Sequence, residues 1–290
     1  MQQLINGLAL GSTYVLVGVG VTLIWGLLRI LTFVHVQVLT WGTFVTLWLL
    51  RTGLPVPLAV LAGMLFGGVV YIAIDATVLR PLRSRNAGEF SYVIVTIGLA
   101  LVLETVLRML TDGSTEAFPR DGFPQGALRI GSLSLPWLHL ATLAIGLLCV
   151  AALSLWLHRS SFGRSLRAVA YSRDDAELLG INSGAAYRVA FFISGMITVL
   201  AGVFIAASTA SLSYSSASHL LLVAVAVIIL GGMGSVAGAC AGGLILGVVE
   251  VMAQVHLSSE LRDAIALLFI LVVLVLRPSG LMGRAEASRV

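Results

Sequence analysis

The sequence predicts an all-α polytopic membrane protein, and three observations carry that reading. Of its 290 residues, 59% are hydrophobic and 10% charged, where soluble domains carry roughly 45–50% apolar and about 25% charged residues. The mean hydropathy of +1.05 spreads apolar character over the whole length, which neither one anchor nor a cleaved leader supplies. Apolar stretches recur at 4–25, 31–50, 56–79, 90–111, 136–157, 189–207, 217–231, 236–255 and 262–277, and about 20 such residues in a helix cross the hydrocarbon core.

The first three stretches lead to Arg80, Arg83 and Arg85. The fourth leads into 112–135, where Asp112, Glu116 and Asp121 mix with Arg120, Arg129, Pro, Gly and Ser, the composition of an external loop. After the fifth come Arg159, Arg164, Arg167, Arg173 and Arg188, and the tail holds Arg277, Arg284 and Arg289. Arginine in short loops marks the cytoplasmic side. Nine spans, with the N-terminus outside and the C-terminus inside, put all three clusters there; an eight-span count puts the N-terminus inside. The seventh stretch is short and runs into Gly231-Gly232-Met233-Gly234-Ser235. A tight reversal, a broken helix or a re-entrant element all suit it, so the expected count is eight to ten transmembrane helices in a single domain over 1–290.

Small residues recur four apart at Gly7/Gly11, Gly63/Gly67, Gly234/Gly238/Gly242 and Gly243/Gly247. In lipid, helices associate by close backbone approach, so these stripes read as helix–helix interfaces. Cys149 and Cys240 lie inside apolar runs, where cysteine behaves as a small hydrophobe.

All 17 basic residues are arginine. Without lysine there is no Schiff base and no P-loop, so no ATP site of that kind and no bound cofactor is expected. The net charge of +4 follows from membrane topology and does not point to nucleic acid. The five histidines show neither HExxH nor paired His/Cys spacing, which argues against a metal site, and no GxSxG elbow is present. Acidic side chains inside spans are functional candidates, here Asp75, Glu104 and Glu250. Each has a plainer reading: Glu104 stands four before Arg108, the spacing of a helical ion pair; Asp75 is near Arg80; Glu250 can bond to a neighbouring helix. So few ionisable groups disfavour coupling to an ion gradient.

The longest polar stretch is 158–188. Leu166, Val169 and Ala170 recur at helical spacing, Arg173-Asp174-Asp175 interrupts, Ala176, Leu178 and Leu179 follow, and Gly180 supplies a stop. The pattern fits one or two short amphipathic helices on the inner face of the membrane. They either rest among headgroups or serve a cytoplasmic partner as a docking element.

This stretch resembles the coupling segment of permeases in branched-chain amino-acid ABC importers of the LivH type, with their Gly-Arg-x-x-Arg-Ala followed by Ala-x-x-x-Gly-Ile-Asn. The matching positions are Gly163, Arg164, Arg167, Ala168, Ala176, Gly180, Ile181 and Asn182, with Glu177 among them. The likeness extends to Asn6-Gly7-Leu8, Gly11-Ser12, Leu23-Ile24-Trp25-Gly26, Ser194-Gly195, Ala201-Gly202-Val203, Gly231-Gly232-Met233-Gly234-Ser235 with Gly238-Ala239, Glu250, and Arg277-Pro278-x-Gly280-Leu281-x-Gly283. One stretch departs. Where the family has Asn-Phe-Ala-His-Gly and then Gly-Ala, this chain has Thr32-Phe33-Val34-His35-Val36 and Gly42-Thr43. If that stretch lines the pathway, the cargo differs from leucine, isoleucine and valine; related permeases carry urea, amides and other small polar solutes.

The resemblance implies a bacterial inner-membrane permease completed by a second, homologous permease. Two cytoplasmic ATP-binding subunits would grip 163–182 and supply ATP hydrolysis, and an extracytoplasmic solute-binding protein would deliver the small-molecule cargo. It makes Phe33, His35, Gly231, Gly232, Gly234, Ser235 and Glu250 candidates for pathway or gating. A passive channel or secondary carrier and a polytopic membrane enzyme are the rival classes.

Overall fold

The computed structural model describes residues 2–29, 32–85, 87–130, 133–256, 267–269, 271–273, 275, 277 and 280–282. The helices are α1 (Gln2–Leu28), α2 (His35–Arg51), α3 (Val56–Ile74), α4 (Arg80–Ser84), α5 (Glu89–Leu110), α6 (Trp137–Arg159), α7 (Ser161–Tyr171), α8 (Arg173–Leu178), α9 (Ser183–Thr209), α10 (Ser216–Gly231) and α11 (Val236–His256). A π-helical turn, Asp75–Leu79, joins α3 to α4. Short strands β1 (Glu116–Ala117), β2 (Ala127–Ile130), β3 (Leu133–Pro136) and β4 (Ser211–Leu212) complete the set. The chain is a polytopic helical membrane protein.

Six helices among the described residues are long and apolar enough to cross a membrane: α1, the continuous helix Val56–Ser84, α5, α6, α9 and α11. Two more predicted spans fall short of that length, α2 at 17 residues and α10 at 16. Half of the ninth, 262–277, lies outside the described residues, as do Arg284, Arg289, Pro278 and Gly283.

Burial sorts the helices. α1 and α9 are enclosed by their neighbours, and a helix apolar all round belongs in such a position. α5 and α6 turn Phe90, Ile94, Leu101, Val102, Leu148 and Leu155 outward, as surfaces bathed in acyl chains do. Backbone approach fixes the inner pairs. A Cβ on Gly7 would stand 2.7 Å from Val248 Cα, and one on Gly243 would stand 2.7 Å from Val15 N, so α11 runs antiparallel against α1. One on Gly195 would meet Gly67 O at 2.5 Å, between α9 and α3, and one on Gly63 would meet Gly42 O at 2.9 Å, between α3 and α2. Gly234 does not continue the stripe of Gly238 and Gly242: it sits in the turn before α11 at φ +85°.

Two ends result. At one, Gln2 and Ser134 exchange hydrogen bonds of 2.6 and 2.8 Å, Arg51 pairs with Glu116 at 2.6 Å, and β1 pairs with β4. The 112–135 loop is therefore partly strand, because β2 and β3 also close an antiparallel hairpin. At the opposite end, Arg80 and Arg83 come together with Arg173 and Arg188.

Candidate functional site

The polar stretch folds at the arginine-rich end as two helices, each started by a serine. Ser160 accepts from Gly163 N–H at 2.8 Å to cap α7, and Ser172 accepts from Asp175 N–H at 3.2 Å to cap α8. The corner from α6 into α7 is tight: a Cβ on Gly163 would stand 2.7 Å from the Leu157 carbonyl carbon. Arg167 donates to Leu157 O, where a cation also favours the helix C-terminus. α8 ends on Gly180 at φ +79°. There Gly180 N–H donates to Glu177 O at 3.0 Å and Ile181 N–H to Ala176 O at 2.9 Å, a Schellman closure that favours glycine. Asn182 then accepts from Ala185 N–H at 2.9 Å and starts α9.

Glu177 ties α8 to the start of α9, accepting from Arg173 Nε at 2.9 Å within α8 and from Ser183 Oγ of α9. The Ser183 hydroxyl first, and Arg173 second, hold its carboxyl below the usual range; Glu177 in turn raises Arg173. The inward face of α7 and α8, Leu166, Val169 and Ala176, shares one apolar cluster with Val34, Tyr71 and Phe191. The outward face leaves Tyr171 73%, Leu178 86% and Leu179 80% exposed. Arg164 and Arg167 are exposed and Ala168 is half-buried.

A second group forms where the sequence departs from the family pattern. His35, buried at the start of α2, lies with Nδ1 3.1 Å from Tyr71 OH and Nε2 2.8 Å from Thr198 Oγ1. Thr198 donates to Ser194 O at 2.7 Å, so its oxygen accepts from Nε2–H. That leaves Nδ1 to accept from Tyr71 OH, whose oxygen takes the proton of Thr32 Oγ1 at 3.1 Å. The chain of donors crosses α3, α2 and α9 in one direction, and Ser194 Oγ ties it to α1 through Gly20 O at 2.7 Å. Phe33 is half-buried, its N–H 3.4 Å from Thr96 Oγ1.

The Gly231–Ser235 element is a tight reversal. Gly232 at φ +97° and Gly234 at φ +85° turn the chain, Ser235 Oγ accepts from Gly238 N–H at 3.0 Å, and a Cβ on Gly242 would stand 2.9 Å from Gly231 N. The tail docks onto it: Leu281 N–H donates to Leu230 O at 2.8 Å and Met282 N–H to Gly231 O at 3.0 Å, satisfying carbonyls that α10 leaves open. Glu250 is buried on α11. The structure does not gather these residues into one site. The 163–182 segment and His35 meet one apolar cluster, while Leu230 and Ala239 beside the reversal belong to another.

Several partners were not legible in the sequence. Glu104 accepts from Gln37 Nε2 at 3.1 Å, and Arg108 lies over the Tyr214 ring at 5.9 Å; the i,i+4 pair between them does not form. Asp75 pairs with Arg83 at 2.6 Å, not with Arg80. Tyr71 and Thr198 carry no motif; the recurrence of Thr and Ser inside apolar helices marks Thr198 alone. At the hairpin end a cavity of about 360 Å3 is lined by Arg120, Phe123, Gln125 and His139 among others.

With this geometry in hand, the family described as branched-chain amino acid transport system / permease component matches residues 3–276. The chain belongs to that permease family. It is 30% identical over 302 residues to the high-affinity branched-chain amino acid transport system permease protein BraD of Pseudomonas aeruginosa, covering all of this chain and 98% of the relative. To LivH of Escherichia coli K12 it is 29% identical over 304 residues, covering 100% and 97%. To the autoinducer 2 import system permease protein LsrC of Escherichia coli DH10B it is 29% identical over 238 residues, covering 75% of this chain and 67% of the relative. No solved structure matches it significantly.

Proposed function

We propose that this chain is the membrane-spanning permease subunit of a binding-protein-dependent ABC importer, moving branched-chain amino acids or related small polar solutes inward on ATP hydrolysed by separate subunits. The observation that carries the reading is the two-faced construction of α7 and α8. Their apolar face sits in one cluster with Val34 and Tyr71, next to His35, while Tyr171, Leu178 and Leu179 stand exposed at the arginine-rich end. A push on the outer face is thereby delivered to helices of the membrane core.

The arginine-rich end is cytoplasmic by the positive-inside rule, and the hairpin end faces out. Counting α2 and α10 with the six long helices, the described helices of this single domain cross eight times, with the N-terminus outside; by its composition the 262–277 stretch would add a ninth crossing and bring the C-terminus inside. α2 needs few residues because it begins below the membrane surface: His35, its first residue, already packs against Gly20, well along α1. The partners are a second permease, two ATP-binding subunits on 163–182 and an extracytoplasmic solute-binding protein. The chain holds no lysine for a P-loop and binds no cofactor itself. The names of the relatives put branched-chain amino acids first among cargoes, and the likeness to an autoinducer 2 import system permease keeps other small solutes in range.

The test is uptake into proteoliposomes holding this permease, its ATP-binding subunits and a supplied binding protein. Solute accumulation that needs ATP and is lost with Arg167→Glu or Gly180→Pro, while the protein still inserts, is the expected result. Accumulation by the lone chain without ATP, or full activity in both variants, overturns the reading.

A further inference from the structure

Between α4, α8 and the first turn of α9 lies a cavity of about 460 Å3 with four arginines on its walls, Arg80, Arg83, Arg173 and Arg188, against one carboxylate, Asp75. The surplus of positive charge is built from segments about a hundred residues apart in sequence, and the π-helical turn at Asp75–Leu79 separates the acidic from the basic residues of the first wall.

We propose that this cavity binds a phosphate-bearing anion, supplied either by the headgroup of an anionic phospholipid or as free phosphate. Arg83 is the anchor. Its side chain is 10% exposed, its guanidinium lies 4.3 Å over the Tyr187 ring, and Nη2 donates to Asp75 at 2.6 Å. Nη1 is buried without a hydrogen-bond acceptor, and a buried donor left unsatisfied is costly unless a ligand supplies the oxygen. Arg173 spends Nε on Glu177 and keeps its terminal N–H groups for the cavity. Arg80 and Arg188 add charge from α4 and α9. Asn182 has taken the Ala185 N–H, so the N–H groups of Ser183 and Gly184, also on the wall, remain at the positive end of a 27-residue helix, where anions bind. Phosphate oxygens suit such a set: planar guanidinium forks and backbone N–H groups are the donors that hold phosphate. The end of a span on an arginine-rich face is also where headgroups reach.

The experiment uses the purified full chain in mild detergent. Native mass spectrometry measures retention of added phosphatidylglycerol against phosphatidylcholine, and calorimetry measures sodium phosphate binding against sodium chloride at equal ionic strength. Phosphatidylglycerol retained over phosphatidylcholine without phosphate binding identifies the lipid source. Phosphate binding that displaces the lipid, or occurs alone, identifies the free anion. Arg80→Gln and Arg188→Gln, read separately so that a poorly inserting variant does not decide the matter, each weaken retention roughly fivefold. Arg129→Gln, which removes an exposed arginine at the hairpin end, leaves retention unchanged. No preference between the two lipids together with no phosphate binding overturns the proposal, as does an equal loss in Arg129→Gln.

Discussion

His35 Nε2 stands 2.8 Å from Thr198 Oγ1, and this contact joins α2 to α9 inside the membrane core. Neither side chain is accessible to solvent or lipid, so each is the other's means of satisfying a buried polar atom. Thr198 also bonds Ser194 O and His35 also bonds Tyr71 OH, so removing one leaves the other a hydrogen bond short rather than alone, at a cost of about 1–3 kcal/mol. Thr198→Val and His35→Leu are each expected to lower the thermal midpoint of the detergent-solubilised protein. The double variant should lose less than the sum, because it removes both groups. Strict additivity would show that the pair is not coupled.

Gly180 offers a cleaner case, since nothing lies within 4 Å of a Cβ built on it while its φ is +79°. A substitution there meets backbone strain and no clash. Gly180→Ala is expected to weaken the α8 terminus by about 1 kcal/mol, with Gly180→Asn in between because asparagine tolerates the left-handed region. Amide exchange over 173–182 reads the loss directly. Transport should fall in the same order, Gly above Asn above Ala, if the segment transmits force. Equal exchange rates for Asn and Ala would show that φ is not the deciding feature.

The α8–α9 corner carries a pH dependence whose sign is set by Glu177. Its folded carboxyl titrates below the ordinary value because Ser183 and Arg173 bond the charged form. Such a group contributes stability above its unfolded pKa and loses it as pH falls through the folded one. Protection of the 173–183 amides is thus expected to hold at neutral pH and to decline below the ordinary glutamate range. Glu177→Gln should remove that acid-dependent change while lowering protection at neutral pH. An unchanged acid profile in Glu177→Gln would assign the titration to another group.

Local features were legible and distant ones were not. The stop at Gly180 and an interruption near Arg173-Asp174-Asp175, which the structure sets at the capping Ser172, are properties of a few consecutive residues; at 231–235, where a reversal, a broken helix and a re-entrant element all suited the sequence, the glycines at positive φ make the reversal. The i,i+4 spacing of Glu104 and Arg108 was equally local and misled, because Gln37 from α2 and Tyr214 beyond α9 reach those groups first. In a bundle so apolar, few polar side chains exist, and tertiary approach decides which of them meet. The fold class followed from bulk apolarity, yet span number did not: among the described residues six helices are long and apolar enough to cross, while α2 and α10, at 17 and 16 residues, fall short of that length.

Close backbone packing makes the last prediction. A Cβ on Gly247 would stand 2.7 Å from Gly7 O, and its other near neighbours are backbone atoms of Gly11, so no side chain can rotate away. Gly247→Ala must push α11 from α1, an overpacking that costs about 1–3 kcal/mol. Gly26, near the end of the same α1, has nothing within 4 Å of its Cβ position. Gly26→Ala is therefore expected to be neutral or to stabilise by up to about 1 kcal/mol through helix propensity. Thermal unfolding of the two variants in one detergent compares them directly. A Gly247→Ala midpoint equal to that of Gly26→Ala would mean that the α1–α11 seam yields without cost, and that glycine there is not needed for close approach.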